Sequence, residues 1–279
     1  MENKKVWFIT GASKGFGLLL AKQVLNEGHI VAATSRNVDE LVEAIGPKSD
    51  RFLPLQMNLT TEDCVGEAIN ITYKTFGRFD VVVNNAGYGI AGSIEELTDE
   101  ETRSNFDVNV FGTLNVIRSV MPYLRKQQSG HIINISSIAG IAPGCGFAIY
   151  AATKYSVIGL SDVLAQDVKE FGINVTVVAP GAFRTSFLNS ESLAVAKRPI
   201  AEYQQVRNVQ TKYLQMDGKQ VGDPQKAIEA IIEVSEQENP PLYLLLGNDA
   251  YDRAMSKLDY LEKEFRLNEE LTRSMAYQG

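Results

Sequence analysis

Short apolar runs alternate with helical patterns from one end of the chain to the other, and this alternation limits the fold more than any other feature. The runs read as strands are KVWFIT (5–10), HIVAATSR (29–36), RFLPLQMNL (51–59), FDVVVNNAG (79–87), GHIINISS (130–137), INVTVVAPG (173–181) and PPLYLLLG (240–247). The first lacks the polar–apolar alternation of a half-exposed strand, as expected of a strand buried on both faces. Pro54 places the third run at an edge or near an end, because proline cannot donate to a sheet ladder. Helical patterns fill the intervals: LLLAKQVLNEG closed by Gly28, DELVEAIG, TEDCVGEAINITYKTFG capped by Thr60 or Thr61, 99–128 with Pro122 as a late kink or restart, and 149–171. Such alternation predicts an α/β fold, a doubly wound seven-stranded parallel sheet with helices on both faces.

No linker or repeat divides the chain, so residues 1–250 are expected to form one domain. Within it, 182–225 is irregular, and a long insertion on a rigid sheet usually covers a site. Residues 251–279 read as a C-terminal helical extension. Tyr251, Met255, Leu258, Leu261 and Phe265 recur there at helical spacing, for packing on the domain or on another subunit of a homodimer or homotetramer. A formal net charge of −7 argues against nucleic acid or an anionic membrane as partner. Two distant cysteines and two histidines argue against a disulfide framework or a metal site. No signal peptide and no run of about 18–20 apolar residues is visible, so a cytoplasmic protein without a membrane span is expected.

The first strand runs into TGASKGFG, with Gly11, Gly15 and Gly17. A glycine turn between a first strand and a first helix lets the backbone approach a pyrophosphate at the helix N-terminus, the Rossmann arrangement. An acid at the end of the second strand would bind the ribose 2′-OH of NAD. Ser35 stands there instead, followed by Arg36, and Arg36 with Lys14 suits a 2′-phosphate. The expected cofactor is therefore NADP(H) rather than NAD(H).

In IYAATKY, Tyr150 and Lys154 lie one helical turn apart on one face. Alone, such a pair reads as a surface helix. Taken with TGASKGFG, NNAG (84–87), Asn109 in FDVNVFG, ISS (135–137), YAATK (150–154) and PG (180–181), it resembles the classical short-chain dehydrogenase/reductase family over roughly residues 4–250. The length and tail are similar to its 17β-hydroxysteroid and retinol dehydrogenase-like branch.

The resemblance implies a role for each matched position. Tyr150 is the acid/base, and Lys154 lowers its pKa and holds the nicotinamide ribose. Ser137, rather than the structural Ser136, is the catalytic serine, thirteen residues before the tyrosine. Asn109 kinks its helix and holds a water in a proton relay. The turn residues Gly11, Ser13, Lys14, Gly15, Phe16 and Gly17 hold the dinucleotide. Asn84, Asn85, Ala86 and Gly87 line its adenosine side, and Pro180, Gly181, Phe183 and Thr185 its nicotinamide side. Asn58-Leu59 replaces the family's Asp-apolar pair at the adenine.

Chemically, reducing a ketone needs a hydride on carbon and a proton on oxygen. A free tyrosine, with a pKa near 10, is poorly matched to neutral pH, and a nearby ammonium would pull it down. Ser137 would hold the substrate oxygen. The pocket is expected to draw on Tyr88, Ile90, Ile138, Ile141, Phe147 and Phe183, with Phe187, Leu188, Leu193 and Tyr203. Nothing aims Arg184, Lys197 or Arg198 at a carboxylate. The expected substrate is a small carbonyl compound or alcohol with an apolar body. A catalytically silent dinucleotide sensor and an NADH-preferring reductase are the alternatives. His131 receives no role, and Cys145 reads as a free thiol in a packed loop.

Overall fold

The structure is a computed structural model that describes residues 4–189 and 192–277. Residues 1–3 and 278–279, the outer ends of the expected domain and tail, lie outside the described residues, as do 190–191 of the covering segment.

The main sheet joins β1 (Val6–Thr10), β2 (Ile30–Ser35), β3 (Phe52–Gln56), β4 (Val81–Asn84), β6 (Gly130–Ile135), β7 (Ile173–Pro180) and β9 (Tyr243–Leu246). Its order is β3-β2-β1-β4-β6-β7-β9, and every neighbouring pair is parallel. All seven expected strands are present. β3 is an edge strand, which is how it accommodates Pro54.

The two sides of β1 show how its sequence builds layers. Trp7 and Ile9 face a core shared with α1 (Gly15–Asn26), α2 (Val38–Ile45) and α8 (Pro224–Glu236). Phe8 points the other way, against α3 (Glu62–Phe76), α5 (Gly112–Gln127) and α6 (Ala148–Asp167). All three side chains are fully buried, so the unbroken apolar run follows from a strand covered on both faces. Thr61 takes the N-cap position of α3, and Gly77 closes it with φ of 77°.

The helical pattern over 99–128 breaks around Asn109, where the resemblance implies a kink, and not at Pro122. α4 (Asp99–Phe106) passes into a π-helical turn over Asp107–Phe111, and α5 then runs through Pro122 without interruption. A π-turn inserts an extra residue into the helix and re-aims what it carries, here Asn109.

Two short strands have no counterpart in the sequence reading. β5 (Gly89–Ala91) and β8 (Leu193–Val195) pair in parallel as a separate ribbon. The covering segment then forms α7 (Gln204–Gln215). The tail helix α9 (Asn248–Leu267) starts before the expected boundary at 251 and is followed by α10 (Glu269–Arg273). Ala250 and Ala254 of α9 pack on Ile138, while Tyr251, Met255, Leu258 and Phe265 are exposed. Of the two partners expected for the stripe, the domain or another subunit, the domain is met by the small residues, with Leu261 half-buried and the other large ones facing outward. No helix among the described residues is long and apolar enough to cross a membrane.

His131, on β6, is buried, and its Nε2 lies 2.8 Å from Thr176 Oγ1. The Thr176 hydroxyl donates to Pro241 O, so the ring nitrogen is its donor. Burial, with the charge of Lys5, pushes the His131 pKa down to about 4. The neutral ring's stability is complete above the unfolded value near 6.5 and is lost as pH falls through 4. Acid titration of the unfolding free energy is expected to show this loss, up to roughly 3 kcal/mol. In His131→Gln it should be absent, leaving a flatter acid limb.

Candidate active site

The carboxyl ends of β1 and β4 part where helices leave on opposite faces of the sheet, and a cleft opens there, as such topologies require. Thr10 Oγ1, at the end of β1, accepts from Asn85 N and Ala86 N, each at 3.0 Å. Asn85 Nδ2 returns two bonds, to Thr10 O and Gly11 O, each at 2.9 Å. NNAG is thereby tied to the glycine turn. Gly11 has φ of 65°, and a Cβ there would come within 2.8 Å of Ala86. At Gly17 a Cβ would lie 2.5 Å from both Asn85 Nδ2 and Gly11 O. Both glycines are thus required by close packing behind the turn.

The cleft has a volume of about 2360 Å³, above the roughly 300–1,000 Å³ of ordinary small-molecule pockets. One end is bordered by Lys14, Ser35, Arg36, Asn58 and Leu59, and its floor by Gly11, Ser13, Gly15, Phe16, Asn85, Ala86 and Gly87. Ser137, Tyr150, Pro180, Gly181, Phe183 and Thr185 border the rest. Gly17, Asn109 and Lys154 stand behind the wall and shape it indirectly. This long polar-to-apolar cleft, floored by glycines at the start of α1, fits an extended dinucleotide. Among the described residues no cluster of His, Cys, Asp or Glu could hold a metal.

Arg36 is exposed at the cleft and makes no ion pair among the described residues. Asn58 is more committed: Oδ1 accepts from Thr60 N at 3.1 Å and Thr60 Oγ1 at 3.0 Å, and Nδ2 donates to Thr61 Oγ1 at 3.4 Å. Thr185 caps a short turn by accepting from Phe187 N.

The end of the cleft at Tyr150 is organised by Asn109. Its Nδ2 donates to Tyr88 O at 3.0 Å and to Thr153 Oγ1 at 3.1 Å, and its Oδ1 accepts from Tyr88 N at 3.0 Å. The Thr153 hydroxyl donates to Tyr150 O at 2.8 Å. One amide thus links the strand end after β4 to the helical turn that carries the tyrosine. Ser136, buried beside it, donates to Lys154 O at 2.9 Å and ties β6 to α6. Ser137 Oγ accepts from Ala139 N at 3.1 Å and faces the phenol.

The tyrosine and the lysine are both buried. Burial pushes the Tyr150 pKa up to about 12. A hydrogen bond from Ser137 pulls against this, and Tyr213 adds to it. The Lys154 Nζ is 5.8 Å from the Tyr150 ring centroid and donates to Ile135 O at 2.9 Å. Burial in turn pushes the Lys154 pKa down to about 8. Both groups lose water, and the neutral forms gain.

Of the expected pocket residues, Tyr88, Ile138, Phe147, Phe183, Phe187 and Leu188 border the cleft. Ile90 and Leu193 are instead core residues of the β5–β8 ribbon, and Ile141 packs under α9. Tyr203 points away, its hydroxyl donating to Glu95 Oε2 at 2.7 Å. α7 supplies Val209 and Tyr213, with Met216 just past its end; the stretch 183–215 was expected to reach the pocket, but these residues were not singled out, and their helical spacing was the available signal. Cys145 is exposed at the cleft rather than packed in its loop. Asp249, from the tail helix, also borders the cleft, and its Oδ2 accepts from Ala182 N at 2.9 Å.

The covering segment is fastened from beneath by buried carboxylates. Glu96 accepts from Ser93 N and Ile200 N, each at 2.8 Å, and pairs with Arg207 of α7. Glu101 accepts from Lys197 N at 3.2 Å and caps α4 with Thr98. Burial opposes ionisation of both, but the N–H and cationic partners outweigh it and hold both below the usual carboxylate range.

The model for the family described as short chain dehydrogenase matches residues 5–196. The chain belongs to the short-chain dehydrogenase family. It is 36% identical over 253 residues to Oxidoreductase BOA17 of Botryotinia fuckeliana, covering 90% of this chain and 91% of the relative. It is 35% identical over 245 residues to a 3-ketodihydrosphingosine reductase of Bacteroides thetaiotaomicron, covering 87% and 88%. The crystal structure of a short-chain dehydrogenase from Streptomyces avermitilis superposes with a TM-score of 0.91 at 34% identity, covering 99% of this chain and 100% of the other. More distant solved structures hold NADH or NADP. The family makes this chain an NAD(P)-dependent oxidoreductase acting on CH–OH or C=O groups.

Lys154 gives the site a pH signature. Its ammonium favours a negatively charged oxygen nearby only while protonated, below about pH 8. For carbonyl reduction, kcat/KM is expected to fall as pH rises past about 8, since this ratio reports the free enzyme's groups. In Lys154→Arg, whose guanidinium stays charged, the limb should move to higher pH.

Proposed function

We propose that the protein reduces a carbonyl compound with an apolar body, or oxidises the corresponding secondary alcohol, with NADP(H). The observation that carries this reading is the Tyr150 phenol at the cleft, beside Ser137 and backed by Lys154, facing a wall built from Phe147, Phe187 and α7. The bound dinucleotide supplies the hydride in reduction and takes it up in oxidation. Ser137 holds the substrate oxygen, and the Tyr150 phenol gives it the proton. The Lys154 ammonium then stabilises the phenolate left behind. Asn109 acts as a positioning residue through Thr153.

Arg36 and Lys14 favour NADP(H), with Arg36 exposed at the cleft end and in no ion pair among the described residues, open to a 2′-phosphate. The apolar wall favours a neutral substrate, and the keto substrate in the name of the Bacteroides relative supports reduction. The branch that acts on 17β-hydroxysteroids and retinol remains part of this reading through its apolar substrates. Two unpaired cysteines suit a reducing cytoplasm. The exposed stripe on α9 suits a homodimer or homotetramer. A silent sensor is the weaker reading, since Tyr150, Ser137 and Lys154 are all in place.

Loss of reduced-cofactor absorbance with a panel of apolar ketones tests this. NADPH should turn over faster than NADH, and Tyr150→Phe should lose about 10²-fold or more. Arg36→Asp should move the NADPH:NADH preference toward NADH by at least about tenfold. Equal use of both dinucleotides by the wild type would overturn the NADP(H) assignment. Undiminished turnover by Tyr150→Phe would overturn the mechanism.

A further inference from the structure

Asp249 stands in the first turn of α9, where an acid ordinarily serves the helix dipole. Its carboxylate also reaches out of the helix. Oδ2 accepts from Ala182 N at 2.9 Å, in the turn that follows β7. A Cβ built on Gly181 would overlap both carboxylate oxygens, and one built on Gly247 would come within 2.8 Å of Oδ1. The carboxylate thus lies against the main chain of Gly181, and Pro180 must be followed by glycine for it to fit.

The helix that delivers this carboxylate is itself fixed. Ala250 and Ala254 are buried against Ile138, and Arg253 Nη2 donates to Ala142 O. Asp249 and Arg253 are one helical turn apart on one face. That face therefore fastens both loops that border the Tyr150 end of the cleft, the one after β6 and the one after β7.

The turn after β7 has other ties. Gly181 N donates to Leu246 O at 2.9 Å, and Gly222 N donates to Ala182 O at 3.1 Å. Those bonds join main chain to main chain. Asp249 adds a charged acceptor, and hydrogen bonds to ionised groups are about twice as strong as neutral ones. A binding wall is only as exact as the residues that support it from behind. We infer that Asp249 is a positioning residue for the cofactor: by fixing Gly181 and Ala182 it sets the wall that receives the nicotinamide end of the dinucleotide. This rests on reading the cleft as the dinucleotide site, with the nicotinamide beside 180–185. The tail helix then belongs to the active site.

Calorimetric titration of the whole protein with NADPH and NADH, and with 2′-phospho-ADP-ribose and ADP-ribose, which lack the nicotinamide ring, tests this. Asp249→Ala is expected to bind the preferred dinucleotide about tenfold more weakly, and its ringless counterpart as tightly as wild type does. Asp249→Asn keeps an acceptor for Ala182 N and should bind both nearly as wild type does. A merely structural anchor would weaken the two ligands alike, or neither. Gly181→Ala puts a methyl group where the carboxylate lies, so the test does not depend on one variant folding. It should cause the same selective loss in the wild type and little further loss in Asp249→Ala. Unchanged dinucleotide affinity in Asp249→Ala and Gly181→Ala, an equal loss for the ringless ligand, or additive losses in the double variant would overturn the inference while leaving the cleft as a dinucleotide site. A wild type that binds neither dinucleotide would overturn both readings.

Discussion

The side chain of Asn85 holds together the place where β1 and β4 diverge. Neighbouring parallel strands whose helices leave on opposite faces must separate at their carboxyl ends. That gap is where a ligand enters, and it is also where two loops would otherwise move independently. Asn85 closes the frame with two bonds to the end of β1 and the glycine turn, while Thr10 reciprocates with two acceptor contacts. The tight packing at Gly11 and Gly17 follows from that clamp, and the start of α1 follows from the turn.

Much of this was legible because it is local. The first strand reads as doubly covered from Lys5 to Thr10, and Pro54 reads as a strand end or an edge. The tyrosine and lysine read as neighbours because a helix puts them there. What escaped depends on distant contacts. β5 and β8 are three residues each, too short for a period to show, and they exist because 89–91 meets 193–195. Pro122, which reads as a kink, breaks nothing; the helix over 99–128 breaks at Asn109, where only the family resemblance pointed, and the amide's bonds to Tyr88 and Thr153 fix the local geometry. The surroundings of the tyrosine escaped for a similar reason. Spacing shows that Lys154 is near, but not that it turns to Ile135 O or that the pair is dry. Asp249 comes to the cleft from beyond the last strand, where no motif pointed to it.

A row of buried polar groups runs through the middle of the sheet. Asn84 Nδ2 donates to Asn134 Oδ1 at 2.8 Å, and Asn134 Nδ2 donates to Ser161 Oγ at 2.9 Å. An apolar set would bury more easily, but directed bonds fix β4, β6 and α6 in one register. Tyr150 and Lys154 on α6 and Ser137 after β6 are placed by this register, so the network sets distances that hydrophobic contact alone would leave loose.

The covering segment is gripped largely through its main chain. Glu96 and Glu101 hold the N–H groups of Ile200 and Lys197, which every residue but proline possesses. An anchor of that kind does not read side chains. The faces that look into the cleft, Val209, Tyr213 and Met216 among them, are therefore free to be exchanged while the fastening stays. A frame that separates attachment from recognition can take on new substrates by small steps, with no intermediate that loses its cover.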